Sequence, residues 1–173
     1  MKKLILLGVA AFFLVEPALA AGAQRDHFEP ESAAADAIDM RGLLELTRGN
    51  YDGAQRLFKL ASFMLSDTNF TPVLYLGIAK CMDGDPKGAD IQFKDYSCMA
   101  RVATGQLKCP AETDPVKLAS LPQAELGGLT STCAQKMCIS SLRQSYENPT
   151  AETKQTVDAT MKLLDIFRTS CSK

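Results

Sequence analysis

The residues that could do chemistry in this chain are few. Cys81, Cys98, Cys109, Cys133, Cys138 and Cys171 are its six cysteines, and His27 is its one histidine. An even cysteine set in an exported chain implies a disulfide framework, and the leader described below places this chain in that setting. No Cys-x-x-Cys pair is present, so thiol exchange lacks its usual motif. A zinc site needs reduced thiolates, and His27 lies far from every cysteine. With one histidine, Ser-His-Asp and Cys-His arrangements lack their base. Asp36, Asp39, Glu45 and Asp83 can in principle pair as acid and base. Their spacing scatters them over helix faces and turns, where solvated charges and caps account for them. The expectation is a protein without catalytic residues, cofactor or metal.

The elements that must position these residues are written in a stretch running from Met40 to Met99. One pattern occurs there twice, 35 residues apart: Gly42, Gly49, Gly53, Ala54, Phe58 and Lys59 return as Gly77, Gly84, Gly88, Ala89, Phe93 and Lys94. Asn50 and Asp85 are similar, as are Leu43 and Ile78. A constant offset of this size marks a solenoid repeat. Each copy predicts a helical hairpin. Gly49 or Gly84 ends a first helix, where glycine takes a left-handed cap cheaply. Asn50 or Asp85 then caps a second helix, with Pro86 at its first position in the second copy. Ala54 and Ala89 suit a close helix crossing, and Phe58 and Phe93 follow four residues on, on the same face.

This spacing of glycine, glycine, alanine and phenylalanine resembles the tetratricopeptide repeat, a helix-turn-helix unit of about 34 residues. The family's early tryptophan is absent, and Ser66 stands at its closing proline position. The resemblance implies an all-α fold of antiparallel helical hairpins stacked as a short solenoid. It also implies a concave surface lined by first helices that holds a peptide or protein. Carried over, that face is Asp36, Asp39, Met40, Leu43 and Thr47, then Thr71, Tyr75, Ile78 and Met82. The family's peptide clamp uses lysine and asparagine to hold a terminal carboxylate. Asp39 and Leu43 stand there instead, so an apolar, methionine-containing groove is expected. The alternative is that a fifth helix covers this face and makes Met40 and Tyr75 core.

Around the repeats the organisation reads as follows. Met1-Lys2-Lys3, an apolar run from Leu4 to Val15, and Ala18-Leu19-Ala20 form a secretory signal peptide over 1–20. The run is shorter than the about 20 residues a membrane span needs. Its compact form suggests a bacterial protein, periplasmic or secreted. Without Lys2, Lys3 and Glu16, 17 basic and 19 acidic residues remain, which offers no basic footprint for nucleic acid. Residues 21–31, with His27, read as a tail, and 32–104 as the two hairpins. The first hairpin's helices start near Ser32 and at Tyr51, the second running to Leu65. Asp67-Thr68-Asn69 is the inter-repeat turn, and Thr71-Pro72 restarts a helix as cap and proline. The fourth helix spans Pro86 to Ala103. Residues 105–121 read as a loop pinned by Cys109. Residues 122–173 read as a capping hairpin: a helix from Pro122 to Tyr146, weakened at Gly127-Gly128, and a last helix from Thr150 to Cys171.

On this layout the disulfides are narrowed by geometry. Cys133 and Cys138 lie about 7.5 Å apart along one helix and about 140° around it, so they do not bridge each other. Cys81 and Cys98 flank their hairpin unequally. The predicted pairs are Cys98–Cys109, Cys133–Cys171 and Cys81–Cys138. The function expected is an exported interaction module, an adaptor or assembly factor of the envelope. Its rivals are an inhibitor or structural protein acting through loop 105–121, and a hydrolase.

Overall fold

The computed structural model describes residues 30–63, 70–139 and 149–171. The signal peptide, His27, the turn at Asp67 to Asn69 and the helix end at Tyr146 lie outside the described residues. The described chain is all-α: α1 (Pro30–Thr47), α2 (Tyr51–Phe63), α3 (Thr71–Asp83), α4 (Pro86–Ala103), α5 (Pro115–Ser120), α6 (Ser131–Met137) and α7 (Ala151–Cys171). No helix among the described residues is long and apolar enough to cross a membrane.

The two sequence copies make two antiparallel hairpins with the same turn chemistry. Gly49 (φ 79°) and Gly84 (φ 88°) take the left-handed conformation that a side chain disfavours. Gly49 N–H donates to Leu46 C=O at 3.1 Å and Asn50 N–H to Glu45 C=O at 2.9 Å. Gly84 N–H donates to Cys81 C=O at 3.2 Å and Asp85 N–H to Lys80 C=O at 2.9 Å. Each turn thereby satisfies two terminal carbonyls of the helix it ends. The next helix is capped at once: Gly53 N–H donates to Asn50 Oδ1 at 3.2 Å, and Gly88 N–H to Asp85 Oδ1 at 2.9 Å.

Inside each hairpin, a phenylalanine of the second helix lies flat against a glycine of the first. A Cβ on Gly42 would meet Phe58 Cε1 at 2.6 Å, and one on Gly77 would meet Phe93 Cε1 at 2.5 Å. Phe58 and Phe93 are fully buried, each contributing about 1.5–3 kcal/mol of apolar burial. Helix α2 packs on α3, so the hairpins stack, with the Phe58 and Tyr75 rings 5.3 Å apart across the joint. Helix α3 is the centre of the molecule: every residue from Pro72 to Ala79 is buried.

The second half departs from the predicted capping hairpin. Loop 105–121 contains α5, because Asp114 accepts from Val116 N–H at 2.8 Å and Lys117 N–H at 3.1 Å and Pro115 opens the turn. The long fifth helix is reduced to α6 among the described residues. Gly127 (φ 60°) and Gly128 (φ 90°) are both left-handed, which no α-helix passes through. Thr130 then caps α6, its hydroxyl accepting from Cys133 N–H at 3.1 Å. Helix α6 packs on α5 and α4, and α7 packs on α4 and α3, so the two clasp the second hairpin and do not pair along each other. At the start of the chain, α1 begins at Pro30, before Ser32. The cap expected at Thr71 falls on Phe70, without a side-chain bond.

Three disulfides join the first three cysteines to the last three. Cys81–Cys171, Cys98–Cys133 and Cys109–Cys138 have Cα separations of 5.6, 6.1 and 5.4 Å. Cys133–Cys138, excluded on helix geometry, and the disfavoured Cys81–Cys98 do not form, but the three predicted pairs are replaced. Their register assumed a long fifth helix antiparallel to α7. Instead α6 lies on α4, bringing Cys133 to Cys98, and α7 ends beside the end of α3.

Candidate interaction surface

Of the nine residues carried over to a groove, four are buried and five are not. Asp39, Leu43, Tyr75 and Ile78 are buried, so they hold the hairpins together and present no surface. Asp36, Thr71 and Met82 are half-buried, and Met40 is exposed. Thr47 is exposed as well, its hydroxyl donating back to Leu44 C=O at 2.8 Å. The described residues therefore form no continuous groove over both first helices. Tyr75 is buried in the core, and Met40 is exposed.

Comparing equivalent positions of the two copies shows where apolar surface remains. Met40 is 65% exposed, whereas Tyr75, 35 residues on, is 4% exposed. Phe63 is 75% exposed, whereas its equivalent Cys98 is 5% exposed and bonded to Cys133. Leu44 and Leu60 are likewise exposed, and their equivalents Ala79 and Asp95 are buried. The second hairpin is thus enclosed at four positions that the first hairpin leaves open, and the open copies carry the larger apolar side chains at Leu44, Leu60 and Phe63. Leu44, Leu60 and Phe63 were absent from the sequence-derived surface. The signal for the last two was available, since helical spacing places them away from the face of Phe58.

A polar cluster ties α6 to both hairpins beside this surface. Thr130 Oγ1 donates to the buried Asp95 Oδ1 at 2.5 Å. Lys136 Nζ donates to Ser62 C=O at 2.6 Å, in the last turn of α2, and stands 6.0 Å from the centre of the Phe63 ring. A cation at a helix C-terminus is favourable. Burial nonetheless pushes the Lys136 ammonium below the ordinary lysine value, with the Asp95 carboxylate opposing that shift. At the hairpin turns the carboxylates are held in their charged form. The Asn50 side-chain amide holds Glu45 below the usual range, helped by Arg41 and Arg48. The Gly88 N–H does the same for Asp85, helped by Lys80.

Among the described residues, no group of three or more His, Cys, Asp or Glu side chains is placed to hold a metal ion. The six cysteines are all consumed in disulfides. Three disulfides, together with the absence of a membrane-crossing helix among the described residues, fit an exported protein. No protein-family profile, curated protein or solved structure matches the chain.

Proposed function

We propose that this chain is an exported protein–protein interaction module, an adaptor or assembly factor of a bacterial envelope. In this reading residues 1–20 are a signal peptide removed on export, and the two hairpins are a tetratricopeptide-like pair. The partner is a peptide or protein segment with an apolar face. The observation that carries the reading is the inequality of the two copies: Met40, Leu44, Leu60 and Phe63 are exposed on the first hairpin where the second is covered. Scattered single apolar residues on a surface are ordinary, but four at repeat-equivalent covered positions point to an absent neighbour. Methionine and phenylalanine side chains suit an adaptable apolar contact. The reading assigns no catalytic step.

The test is cross-linked capture from the envelope extract of the source organism, using residues 21–173 as bait. The wild type should retain one stoichiometric protein, and Met40→Lys with Phe63→Lys should lose it while the circular dichroism spectrum stays unchanged. Retention of the same protein by the double variant would overturn the reading. One observation favours the rival role for loop 105–121. Val116 is exposed on α5, on a segment pinned by Cys109–Cys138. In that case Val116→Lys, and not the hairpin variants, abolishes capture.

A further inference from the structure

Helix α7 packs on α4 and α3. It runs antiparallel along α4: Pro149, just before it, lies beside Gly105, and Arg168, near its end, pairs with Asp90 at 2.8 Å. Its buried side chains form one strip, Val157, Thr160, Leu164 and Phe167, and Leu164 and Phe167 join the core built by α3 and α4. Its far end is tied to the end of α3 by Cys81–Cys171. At that end Phe167 is buried, Arg168 pairs with Asp90, and Cys171 is bonded to Cys81.

The three disulfides differ in access. Cys98 and Cys133 are both buried, and Cys109–Cys138 has one buried end. Cys81 and Cys171 are both only half-buried. Attack on a disulfide requires a thiolate to reach a sulfur, so access orders the three. We propose that Cys81–Cys171 is a redox latch, opened selectively by a dithiol reductant, and that its opening frees α7 from α4. One thiolate of the dithiol attacks Cys171 Sγ, breaking the Cys81–Cys171 bond and leaving a thiolate on Cys81. The second thiol of the reductant then displaces Cys171 and closes the reductant's own disulfide. Two electrons pass to the pair, and the two protons of the dithiol end on Cys81 and Cys171.

Without that bond α7 is held by side-chain contacts, among them the strip of Val157, Thr160, Leu164 and Phe167 and the Arg168–Asp90 ion pair. Most of a helix's stability in a protein comes from packing its amphipathic face, so loosening that packing loosens the helix. Opening uncovers the side of α4 on which α7 lies, leaving Cys98–Cys133 to hold α6 in place. This inference concerns the second hairpin and does not depend on the partner-binding role proposed for the first.

The test is graded reduction of the folded full chain with dithiothreitol, followed by alkylation, peptide mapping and amide hydrogen exchange. Cys81 and Cys171 should be alkylated first. In that species the amides of 151–171 should exchange about tenfold faster or more, with those of α1 and α2 unchanged. Earlier opening of either other disulfide, or simultaneous opening of all three, overturns the proposal. So does α7 exchange as slow as in the oxidised protein. The double variant Cys81→Ser with Cys171→Ser gives an independent reading: fast exchange confined to α7 is expected. Full protection of α7, or loss of the whole fold, overturns the latch.

Discussion

Lys80 and Asp85 close the second hairpin turn with an ion pair, Nζ to Oδ2 at 3.1 Å, in the place where Asn50 donates to Glu45 at 2.7 Å in the first. Positions 45 and 80 are equivalent, as are 50 and 85. The contact is thus kept while its chemistry is exchanged: a carboxylate faces an amide in one copy, and an ammonium faces a carboxylate in the other. What the repeat preserves here is a bridge across the turn.

That exchange can be tested by transplanting it. Lys80→Glu sets two carboxylates against each other at the second turn and should lower the melting temperature. Adding Asp85→Asn installs the first copy's pair and should recover most of the loss. Thermal denaturation of the two variants and the wild type decides it. Failure of the second substitution to recover stability means that the cross-turn contact contributes nothing.

The glycine beneath each phenylalanine gives a second prediction. Gly77→Ala places a methyl group within 2.5 Å of the buried Phe93 ring, an overpacking that costs about 1–3 kcal/mol. Gly77→Ala combined with Phe93→Leu should cost less than the sum of the two single changes. Urea titrations measure this coupling. At the turn, Gly84→Val forces a branched side chain into φ 88° and should cost about 1–2 kcal/mol.

Acid should weaken the fold. Glu45, Asp85, Asp90 and Glu112 are all held below their ordinary values, Asp90 chiefly by Lys94 and Glu112 chiefly by the Asp114 N–H. A carboxylate depressed in the folded state contributes stability above its unfolded value and loses it as pH falls through its folded value. The urea midpoint should therefore be steady near neutrality and fall between about pH 5 and about pH 3. A midpoint unchanged over that range would contradict these interactions.

Lys136 shifts in the same direction for a different reason, because burial disfavours its charged form. Its value is lowered in the fold, so the unfolded chain holds the proton to higher pH, and stability from this group rises as pH climbs toward 10.5. Lys136→Met removes the bond to Ser62 C=O and the cost of burying the charge together. Near neutrality the two should offset to within about 1 kcal/mol. Between about pH 8 and about pH 10, the wild type should gain stability relative to the variant. Parallel denaturation curves at both pH values would show that the ammonium is not desolvated.

The hairpins were legible because their signals are local. A glycine at the turn, a capping Asn50 or Asp85 and a proline at 86 act within a few residues, and α4 spans the predicted Pro86 to Ala103. The second half was not legible by the same means. Leu126 and Leu129 are buried on either side of Gly127 and Gly128, and these two left-handed residues break the predicted fifth helix outright. The surface failed for a related reason. Helical spacing tells which residues share a face, but Tyr75 and Met40 share a repeat position and differ only in what packs over them. Covering is a long-range fact, settled by where the chain from 105 onward returns.

The disulfide connectivity carries a consequence for how the chain is made. Cys81, Cys98 and Cys109 all pair with cysteines that come after Cys109, and no two neighbours in sequence are joined. A chain that emerges from its N-terminus offers Cys81, Cys98 and Cys109 to an oxidant before any native partner exists. Oxidation faster than emergence joins these neighbours to one another, and each such bond must be broken before the native one forms. Maturation is then paced by thiol–disulfide reshuffling, on a scale of seconds to hours, and helix formation is fast by comparison. Since Cys81 waits for Cys171, the first cysteine to appear is the last to find its partner.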